Sequence, residues 1–349
     1  MQSPWDHPDF DDHEVVHCVT DRASGLRVVI AIHSTHLGPG AGGVRFWHYP
    51  RGGDGITDAL RLSRGMSFKN AMADLPMGGG KAVILAPPDR SKTEEMFAAF
   101  GRAVEGLGGA YVTAEDVGVT VDDLVAASRE TRYVSGLPAE AGQAGGDPGP
   151  HTSYGIFLGI KAAVRRALGR TDLDGIRIAL QGAGSVGSGV ARLASAEGAR
   201  LTIADLDAGR ARRLAEEVGG TAIDAASIMT VDADVFSPCA LGAVLTAESI
   251  ARLRVPIVAG GANNQLARPE DGERLMQRGI LYAPDYVINA GGIINVVLEY
   301  LGLGGEAEVR QRIERIPDRL DSIWEESART GRNPAAVADF LAMRLIGRA

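Results

Sequence analysis

The chain has 349 residues, of which 45% are hydrophobic and 23% are charged, and its formal net charge is −8 at pH 7. This length exceeds what a single hydrophobic core usually serves, so we expect two domains. The acidic balance and the lack of a dense basic stripe argue against nucleic acid as a main partner. Two distant cysteines, no signal-peptide pattern and no long apolar run predict a cytoplasmic protein without a disulfide or a membrane span.

The first part of the chain alternates predicted strands and helices. Apolar residues at 27–33 and 81–86 predict two strands, and residues 54–73 have the periodicity of a helix. Ser91 and Glu94 have the spacing of a capping box, which predicts the start of another helix. This alternation is typical of an α/β domain.

Two lysines flank a glycine-rich segment. Lys69 lies in the predicted helix, and Lys81 directly follows three glycines at 78–80. Consecutive glycines permit positive φ and close approach of a ligand, so we predict a turn at this point. Two cations at one glycine-lined place suit a small anionic substrate, or a reaction that needs an amine with a lowered pKa. Two solvated lysines beside a flexible loop are the alternative.

The middle and the end of the chain carry clear boundary signals. Residues 136–151 are rich in glycine and proline, which predicts an interdomain connection without helix or strand. Apolar residues repeat at helical intervals over 156–167, and Gly169 is expected to end this helix. Asn333 is the predicted N-cap of the last helix, with Pro334 as its first residue.

The second part contains a complete dinucleotide-binding pattern. A predicted strand at 177–181 runs into a G-x-G-x-x-G sequence, a helix and a second strand that ends at Asp205. The glycines permit a tight turn and close approach of a pyrophosphate, and the helix N-terminus offers free N–H groups to the phosphates. A chance glycine cluster is the alternative. The residues that we assign to this turn are Gly182, Gly184, Ser185, Val186 and Gly187.

Asp205 indicates which dinucleotide is bound. A carboxylate at the end of the second strand accepts hydrogen bonds from the adenosine ribose and repels a 2′-phosphate, so NAD is favoured over NADP. Three arginines on the following predicted helix weaken this preference, namely Arg210, Arg212 and Arg213.

Seven sequence blocks occur in the order found in one family. They are GPGAGGVRFW (38–47), GMSFKNAMADLPMGGGKAVI (65–84), YVTAEDVG (111–118), GAGSVG (182–187), SPCALGA (237–243), GGANNQL (260–266) and APDYVINAGGIINV (283–296). Through these blocks the sequence resembles the glutamate/leucine/phenylalanine/valine dehydrogenases, which are NAD(P)-dependent amino acid dehydrogenases. Within that family it is most similar to the branch that acts on apolar amino acids.

The resemblance implies a role for each matching residue. Lys69 matches the lysine that holds the substrate α-carboxylate, Lys81 the catalytic lysine that activates water, and Asp116 the aspartate that shuttles protons to and from the amine. A buried lysine beside a second cation has its ammonium form disfavoured, which agrees with the role of a base. Further residues that match positions at the cofactor are Thr152, Cys239, Ala240, Asn263 and Asn289, and Asn263 also lines the substrate.

The substrate pocket is the most informative departure from the family pattern. Ala41, which precedes Gly42, stands where glutamate-specific members have a lysine and where the leucine and phenylalanine enzymes usually have leucine. A γ-carboxylate would find no cation there, so glutamate is disfavoured. The other matching pocket positions are apolar, namely Ala114, Ile293 and Val296. Such pockets discriminate weakly between side chains that differ by a methylene, so leucine, valine, isoleucine and phenylalanine all stay open.

The resemblance also implies the fold and the domain organisation. We expect an α/β protein of two domains with a cleft between them. Residues 1–136, completed by a C-terminal helix at about 319–349, are expected to form an α/β domain for substrate binding and oligomerisation. Residues 137–318 are expected to form a doubly wound Rossmann domain that binds NAD. Family members form homo-oligomers, commonly dimers or multiples of dimers.

The implied reaction is the reversible, NAD-dependent oxidative deamination of an apolar L-amino acid to the 2-oxo acid, ammonia and NADH. Two alternatives stay open. One is a different NAD-linked oxidoreductase of 2-hydroxy or 2-oxo acids, although that chemistry usually needs a histidine–carboxylate pair beside an arginine. The other is an NAD-binding regulatory protein without catalysis. No spacing of histidines or cysteines predicts a metal site.

Overall fold

The computed structural model describes residues 4–138 and 144–349, and within them the chain divides into two compact units. No helix in these two ranges is long and apolar enough to cross a membrane. The first unit contains the described residues up to Asp147, together with Ile293–Val309 and Ala342–Ala349. The second unit contains Pro148–Gly292 and Arg310–Leu341.

The first unit is built on a six-stranded mixed sheet, as far as the described residues show. Its strands are β1 (Val15–Asp21), β2 (Leu26–Ser34), β3 (Gly40–Ala41), β4 (Val44–Trp47), β5 (Gly78–Leu85) and β6 (Tyr111–Val112). The order is β1-β2-β5-β3-β6, and β4 also pairs with β5. β2 pairs antiparallel with β1 and β5, whereas β3 and β4 run parallel to β5. The helices of this part are α1 (Gly52–Met72), α2 (Glu94–Glu105) and α3 (Val121–Ser128).

The two faces of β5 contact different helices because alternate side chains of a strand point to opposite sides. Ile84 packs in one core cluster with Phe97 of α2. Val83 packs in another cluster with Leu60 of α1. Lys81 is two residues from Val83 and therefore lies on the sheet face that α1 covers.

The three glycines at 78–80 are the first residues of β5, so the predicted turn is wrong. None of the three has a positive φ. They are required by close packing instead. A Cβ at Gly79 would lie 2.1 Å from the backbone nitrogen of Ser67 on α1, and one at Gly80 would lie 2.6 Å from the Tyr111 ring. Glycine serves a close approach as readily as a turn, and the local sequence does not distinguish the two.

The start of α2 also differs from the prediction. The helix begins at Glu94, and the Thr93 side chain accepts a hydrogen bond from the Met96 backbone N–H at 3.2 Å. The predicted capping box of Ser91 and Glu94 is therefore wrong, because the Ser91 hydroxyl donates to Asp89 at 2.9 Å. Serine and threonine are both preferred N-cap residues, so the local sequence does not show which of the two begins the helix.

The second unit has six parallel strands, with helices before and after them, within its described residues. The strands are β7 (Arg177–Gln181), β8 (Arg200–Ala204), β9 (Thr221–Ala222), β10 (Val235–Pro238), β11 (Ile257–Val258) and β12 (Leu281–Tyr282). The helices from the start of this unit to the C-terminus are α4 (Gly149–Leu168), α5 (Ser185–Ala196), α6 (Ala208–Val218), α7 (Ala247–Arg252), α8 (Glu270–Gln277), α9 (Asp285–Ile288), α10 (Gly291–Leu301), α11 (Glu306–Ile313), α12 (Ile316–Thr330) and α13 (Pro334–Leu345). Short 3-10 helices occur at Pro4–Asp6 and Ala225–Thr230.

The strand order β9-β8-β7-β10-β11-β12 confirms the doubly wound arrangement. The chain leaves β7 toward β8 on one side and later returns to place β10 on the other side of β7. Ligands of such sheets bind at this reversal, beyond the carboxyl ends of the two central strands. The G-x-G-x-x-G sequence follows β7 directly and therefore lies at the reversal.

Two predicted helix ends are confirmed. α4 ends at Leu168, and Gly169 follows it in the left-handed conformation with φ 69°. The Asn333 side chain accepts a hydrogen bond from the Ala336 backbone N–H at 3.0 Å, which caps the start of α13. Both ends are set by short-range chemistry, so the sequence alone is sufficient to locate them.

The predicted connection at 136–151 is only partly a connection. α4 already begins at Gly149, because Pro150 is compatible with the first turn of a helix. Residues 139–143 of the predicted connection lie outside the described residues.

The two units depart from the predicted domain bounds of 1–136 with 319–349, and 137–318. Residues 293–309 belong to the first unit and residues 310–341 to the second. Hydrogen bonds explain both assignments. Glu299 of α10 accepts from the Gly136 backbone N–H at 3.0 Å in the first unit. Trp324 of α12 donates to the backbone oxygen of Tyr282 at 2.9 Å in the second.

Candidate active site

Lys81 and Asp116 form a direct ion pair in the first unit. The Lys81 Nζ donates to Asp116 Oδ2 at 2.7 Å. The lysine side chain is almost fully buried, with 6% of its surface exposed, whereas the aspartate keeps 24%. A buried amine beside a partly exposed carboxylate is suited to proton transfer, because the amine is shielded from water while the carboxylate contacts it.

Burial and neighbouring charges shift the pKa values of both groups. Burial lowers the pKa of Lys81, and the charge of Arg45 lowers it further, although Asp116 acts in the opposite direction. Burial alone would raise the pKa of Asp116, but the charges of Lys81 and Arg45 outweigh it and hold this pKa at about 2. The aspartate is therefore ionised at neutral pH, and the lysine releases its proton more readily than an exposed lysine does.

Lys69 lies on α1 in the turn that packs over β3 and β5. Met66, one turn earlier, lies so close to Gly42 that a Cβ at the glycine would be 3.0 Å from the methionine Cγ. Asn70 donates from its Nδ2 to the backbone oxygens of Ala41 at 3.3 Å and Gly78 at 2.6 Å. Lys69 is three residues from Met66 and half-buried, so this turn places it at the Ala41–Gly42 end of β3.

The glycine pair after β3 brings backbone against the ion pair. A Cβ at Gly42 would lie 2.0 Å from the backbone oxygen of Gly80. A Cβ at Gly43 would lie 2.5 Å from the backbone oxygen of Glu115 and 3.0 Å from the Asp116 Cβ. No larger residue fits either place. The structure therefore brings the predicted residues Ala41, Gly42, Lys81 and Asp116 together where β3 ends beside the first half of β5.

The predicted pocket residues Ala114, Ile293 and Val296 lie in the same unit. Ser135 connects two of their segments, because its backbone N–H donates to the Thr113 backbone oxygen at 2.9 Å and its hydroxyl donates to the Val296 backbone oxygen at 2.7 Å. Ile293 and Val296 are half-buried and one turn apart on α10, and Ala114 is buried.

One group of predicted cofactor residues of the second unit surrounds the glycine turn. Gly182 has φ 102°, and a Cβ at Gly187 would lie 2.0 Å from the Gly182 backbone oxygen. Cys239 follows β10 and donates from its backbone N–H to the Gln181 oxygen at 2.7 Å, which places it beside the turn. Gly184, Ser185, Val186 and Ala240 belong to the same two segments, and Ser185 and Ala240 are exposed.

Asp205 closes the turn from the end of β8. Its Oδ2 accepts from the Ala183 backbone N–H at 2.7 Å, and its Oδ1 accepts from the Asp207 backbone N–H at 2.8 Å. Arg210 approaches Asp205 Oδ2 only to 3.9 Å, and its side chain is half exposed whereas that of Asp205 is mostly buried.

A second group of predicted residues lies beyond β11 and α9. Asn289 is buried and donates from its Nδ2 to Asn263 Oδ1 at 2.8 Å and to the Gly261 backbone oxygen at 3.1 Å. Thr152 of α4 contacts the following segment, since a Cβ at Gly292 would lie 2.5 Å from the Thr152 hydroxyl. The buried Asn289 Oδ1 has no hydrogen-bond partner among the described residues.

The sequence analysis did not identify three residues around the ion pair, namely Arg45, Asp58 and Tyr49. Arg45 donates from Nε to Asp116 Oδ2 at 3.0 Å and from Nη1 to Asp58 Oδ2 at 2.8 Å. Tyr49 donates its hydroxyl to the same Asp58 oxygen at 2.5 Å. Arg45 stands within the GPGAGGVRFW block, and a charged residue inside an otherwise apolar strand was the signal that could have identified it.

Comparison with known proteins gives the same picture. The model of the Glu/Leu/Phe/Val dehydrogenase dimerisation domain matches residues 13–133, and the Glutamate/Leucine/Phenylalanine/Valine dehydrogenase model matches residues 207–346. The chain is 44% identical to leucine dehydrogenase of Bacillus subtilis (strain 168), over 97% of this chain and 92% of that protein. It is 42% identical to valine dehydrogenase of Streptomyces albus, over 98% of this chain and 94% of that protein.

A solved structure extends the similarity to the whole fold. L-tryptophan dehydrogenase from Nostoc punctiforme superposes with a TM-score of 0.83 at 40% sequence identity, over 96% of both chains. The fold, the ion pair and these relatives define an amino acid dehydrogenase with an N-terminal dimerisation domain and a C-terminal Rossmann-like domain. The chain belongs to the Glu/Leu/Phe/Val dehydrogenase family.

Proposed function

We propose that this chain catalyses the NAD-dependent, reversible oxidative deamination of an apolar L-amino acid, with Lys81 as the base and Asp116 as the proton shuttle. The contact between the buried Lys81 amine and the ionised Asp116 carboxylate carries the proposal. A direct test mixes the protein with L-leucine and NAD+ and follows NADH formation by absorbance. The reverse reaction with the 2-oxo acid requires ammonium, whereas a hydroxy-acid dehydrogenase would consume NADH without it.

The chemistry requires groups of the kind found in the first unit. Oxidation at Cα gives an iminium, which water attacks before ammonia leaves. We assign to the neutral Lys81 amine the removal of a proton from that water. Asp116 then receives a proton and returns it to the departing nitrogen. We place Lys69 at the substrate α-carboxylate, where its charge fixes the orientation of the substrate.

The second unit has the features that a dinucleotide needs. The tight approach of Gly182 and Gly187 leaves room for a pyrophosphate, and the N-terminus of α5 offers unpaired backbone N–H groups. NAD would supply the hydride acceptor, and we assign Asp205 to its adenosine ribose. The cofactor residues are then the glycine turn, Asp205, Thr152, Cys239, Ala240, Asn263 and Asn289, with Asn263 shared with the substrate.

Substitution of Asp205 tests the choice of cofactor. Asp205→Asn removes the negative charge and keeps an oxygen for the Ala183 N–H, although the acceptor for the Asp207 N–H is lost. We expect the ratio of kcat/KM for NAD+ to that for NADP+ to fall at least about tenfold, which corresponds to ~1.4 kcal/mol. Steady-state kinetics with both cofactors measures this ratio, and Asp21→Asn, whose carboxylate accepts the Ala23 backbone N–H in the first unit, is the control. An unchanged ratio would remove Asp205 from cofactor selection.

The pocket at Ala41 sets the substrate class in this proposal. Ala41 is buried and uncharged, so we expect turnover of leucine, valine or phenylalanine and very little of glutamate. Ala41→Leu fills the pocket, and we expect it to reduce kcat/KM for phenylalanine relative to valine by roughly tenfold, within the 1–3 kcal/mol that an apolar pocket controls. A panel of L-amino acids measures both effects. Strong turnover of glutamate alone would refute the pocket assignment.

The assembly and location follow by analogy. The dimerisation domain of the family covers residues 13–133, and we propose a homodimer or a multiple of dimers. A location in the cytoplasm stays a prediction. Light scattering of the purified protein gives the oligomeric state directly.

A further inference from the structure

Arg45 contacts the same carboxylate oxygen as the lysine of the ion pair. Its Nε lies 3.0 Å from Asp116 Oδ2, and Lys81 Nζ lies 2.7 Å from that oxygen. The two cations reach the oxygen from neighbouring strands, because Arg45 is on β4 and Lys81 is on β5. The Asp116 carboxylate is therefore shared between Lys81, which can lose its proton, and Arg45, which cannot.

A second set of contacts holds Arg45 in this place. Its Nη1 donates to Asp58 Oδ2 on α1 at 2.8 Å, and the Tyr49 hydroxyl donates to the same oxygen. Only 24% of the arginine side chain is exposed, and 26% of Asp58. Two separate nitrogens of one planar guanidinium are thus fixed by two carboxylates, which leaves Arg45 little freedom to rotate.

We propose that Arg45 is a positioning residue for the acid–base pair, which fixes the Asp116 carboxylate and balances its charge whenever Lys81 is neutral. The inference rests on the function proposed above. When Lys81 is the free base, Asp116 would otherwise be a largely buried carboxylate without a cation, which is costly. Arg45 removes that cost, so the aspartate stays ionised and in place for its turn in proton transfer.

The same arrangement sets the protonation of Lys81. The charged and titratable groups around the pair are Arg45 from β4, Asp58 from α1, Tyr111 from β6, Glu115 beside Asp116 and Lys69 on the adjacent turn of α1. After burial, Arg45 is the group that lowers the pKa of Lys81, and Asp58 raises it. Substitutions of Arg45 and Asp58 should therefore move this pKa in opposite directions.

The test is the pH dependence of kcat/KM for deamination, with one substrate throughout so that its own ionisation cancels. Arg45→Gln removes a positive charge, so we expect the acid limb to move to higher pH by about half a unit or more and kcat to fall about tenfold or more. Asp58→Asn removes a negative charge, so we expect the limb to move to lower pH. Arg45→Lys keeps the charge and should return the limb close to its original position without restoring the full rate.

Arg61→Gln is the matched control, because it removes another arginine–carboxylate pair, with Asp9, at a more exposed place. It should leave both the limb and the rate unchanged. Thermal unfolding shows whether each variant is folded. A limb that stays fixed in both Arg45→Gln and Asp58→Asn, or that moves the same way in both, would overturn the proposal. If Arg45→Gln does not fold, the limb of Asp58→Asn and the rate of Arg45→Lys decide, and a fixed limb in the first or an unchanged rate in the second would overturn it. If Lys81→Met is itself fully active, it is the proposed function that has failed.

Discussion

Replacement of Lys81 by methionine is expected to reduce kcat for deamination by roughly 10²–10⁴-fold, the usual contribution of a general base. Methionine has a similar length and suits a buried place, and Asp116 keeps Arg45 as a partner, so the fold should survive. The residual activity should also lose the acid limb that Lys81 imposes. Steady-state kinetics from acidic to alkaline pH, together with the melting temperature, measures both effects.

The control for this experiment is Lys161→Met in the second unit. Lys161 also pairs with a carboxylate, Glu197, at 2.6 Å, but it lies outside the predicted site residues. It should keep the parent's rate and pH profile. A Lys81→Met variant with the rate and the pH profile of the parent would show that Lys81 is not the base.

Replacement of Gly79 by alanine is expected to be strongly destabilising. The added Cβ would lie 2.1 Å from the Ser67 nitrogen and 2.5 Å from the Ser63 oxygen, both backbone atoms of α1. Helix and strand must then separate, at a cost of about 3 kcal/mol, the upper part of the range for overpacking. We expect a clear fall in melting temperature and a loss of activity, because Lys81 is two residues away.

Gly65→Ala provides the contrast within α1. A Cβ at Gly65 meets nothing within 4 Å, and the residue is inside a helix. Alanine at this place should therefore be neutral or raise the stability by up to ~1 kcal/mol. Differential scanning calorimetry of both variants gives the comparison. Equal melting temperatures for Gly79→Ala and the parent would contradict the packing that the structure shows at β5.

Local chemistry explains what the sequence predicted well. The caps at Gly169 and Asn333 depend on residues within one turn of the helix end, so their pattern is visible in the chain. The dinucleotide turn combines strand, glycines, helix and Asp205 within a short segment, and in the structure Asp205 accepts from the Ala183 backbone N–H of that turn. The apolar pocket positions and the lysine–aspartate pair required the family pattern, since Lys81 and Asp116 are far apart in sequence.

Tertiary contacts explain what the sequence did not predict. The glycines at 78–80 were assigned to a turn, because a run of glycine carries no information about the helix that packs on it. Arg45 was overlooked because its two carboxylates come from α1 and from the segment after β6. The bounds of the two units differ from the predicted domain bounds because side chains of α10, such as Glu299, bind to the first unit. Local periodicity does not reveal such contacts.

We propose that Lys81, Asp116 and Lys69 act on one substrate molecule, which faces the dinucleotide. A crystal structure of the protein with NAD+ and a non-reactive analogue of leucine tests it most directly. We predict that the analogue's α-carboxylate meets Lys69, that its Cα lies about 3–3.5 Å from the reacting carbon of the nicotinamide, and that Lys81 and Asp116 border the same carbon. An analogue bound away from Lys81 and Asp116, with the nicotinamide beside other residues, would contradict the account.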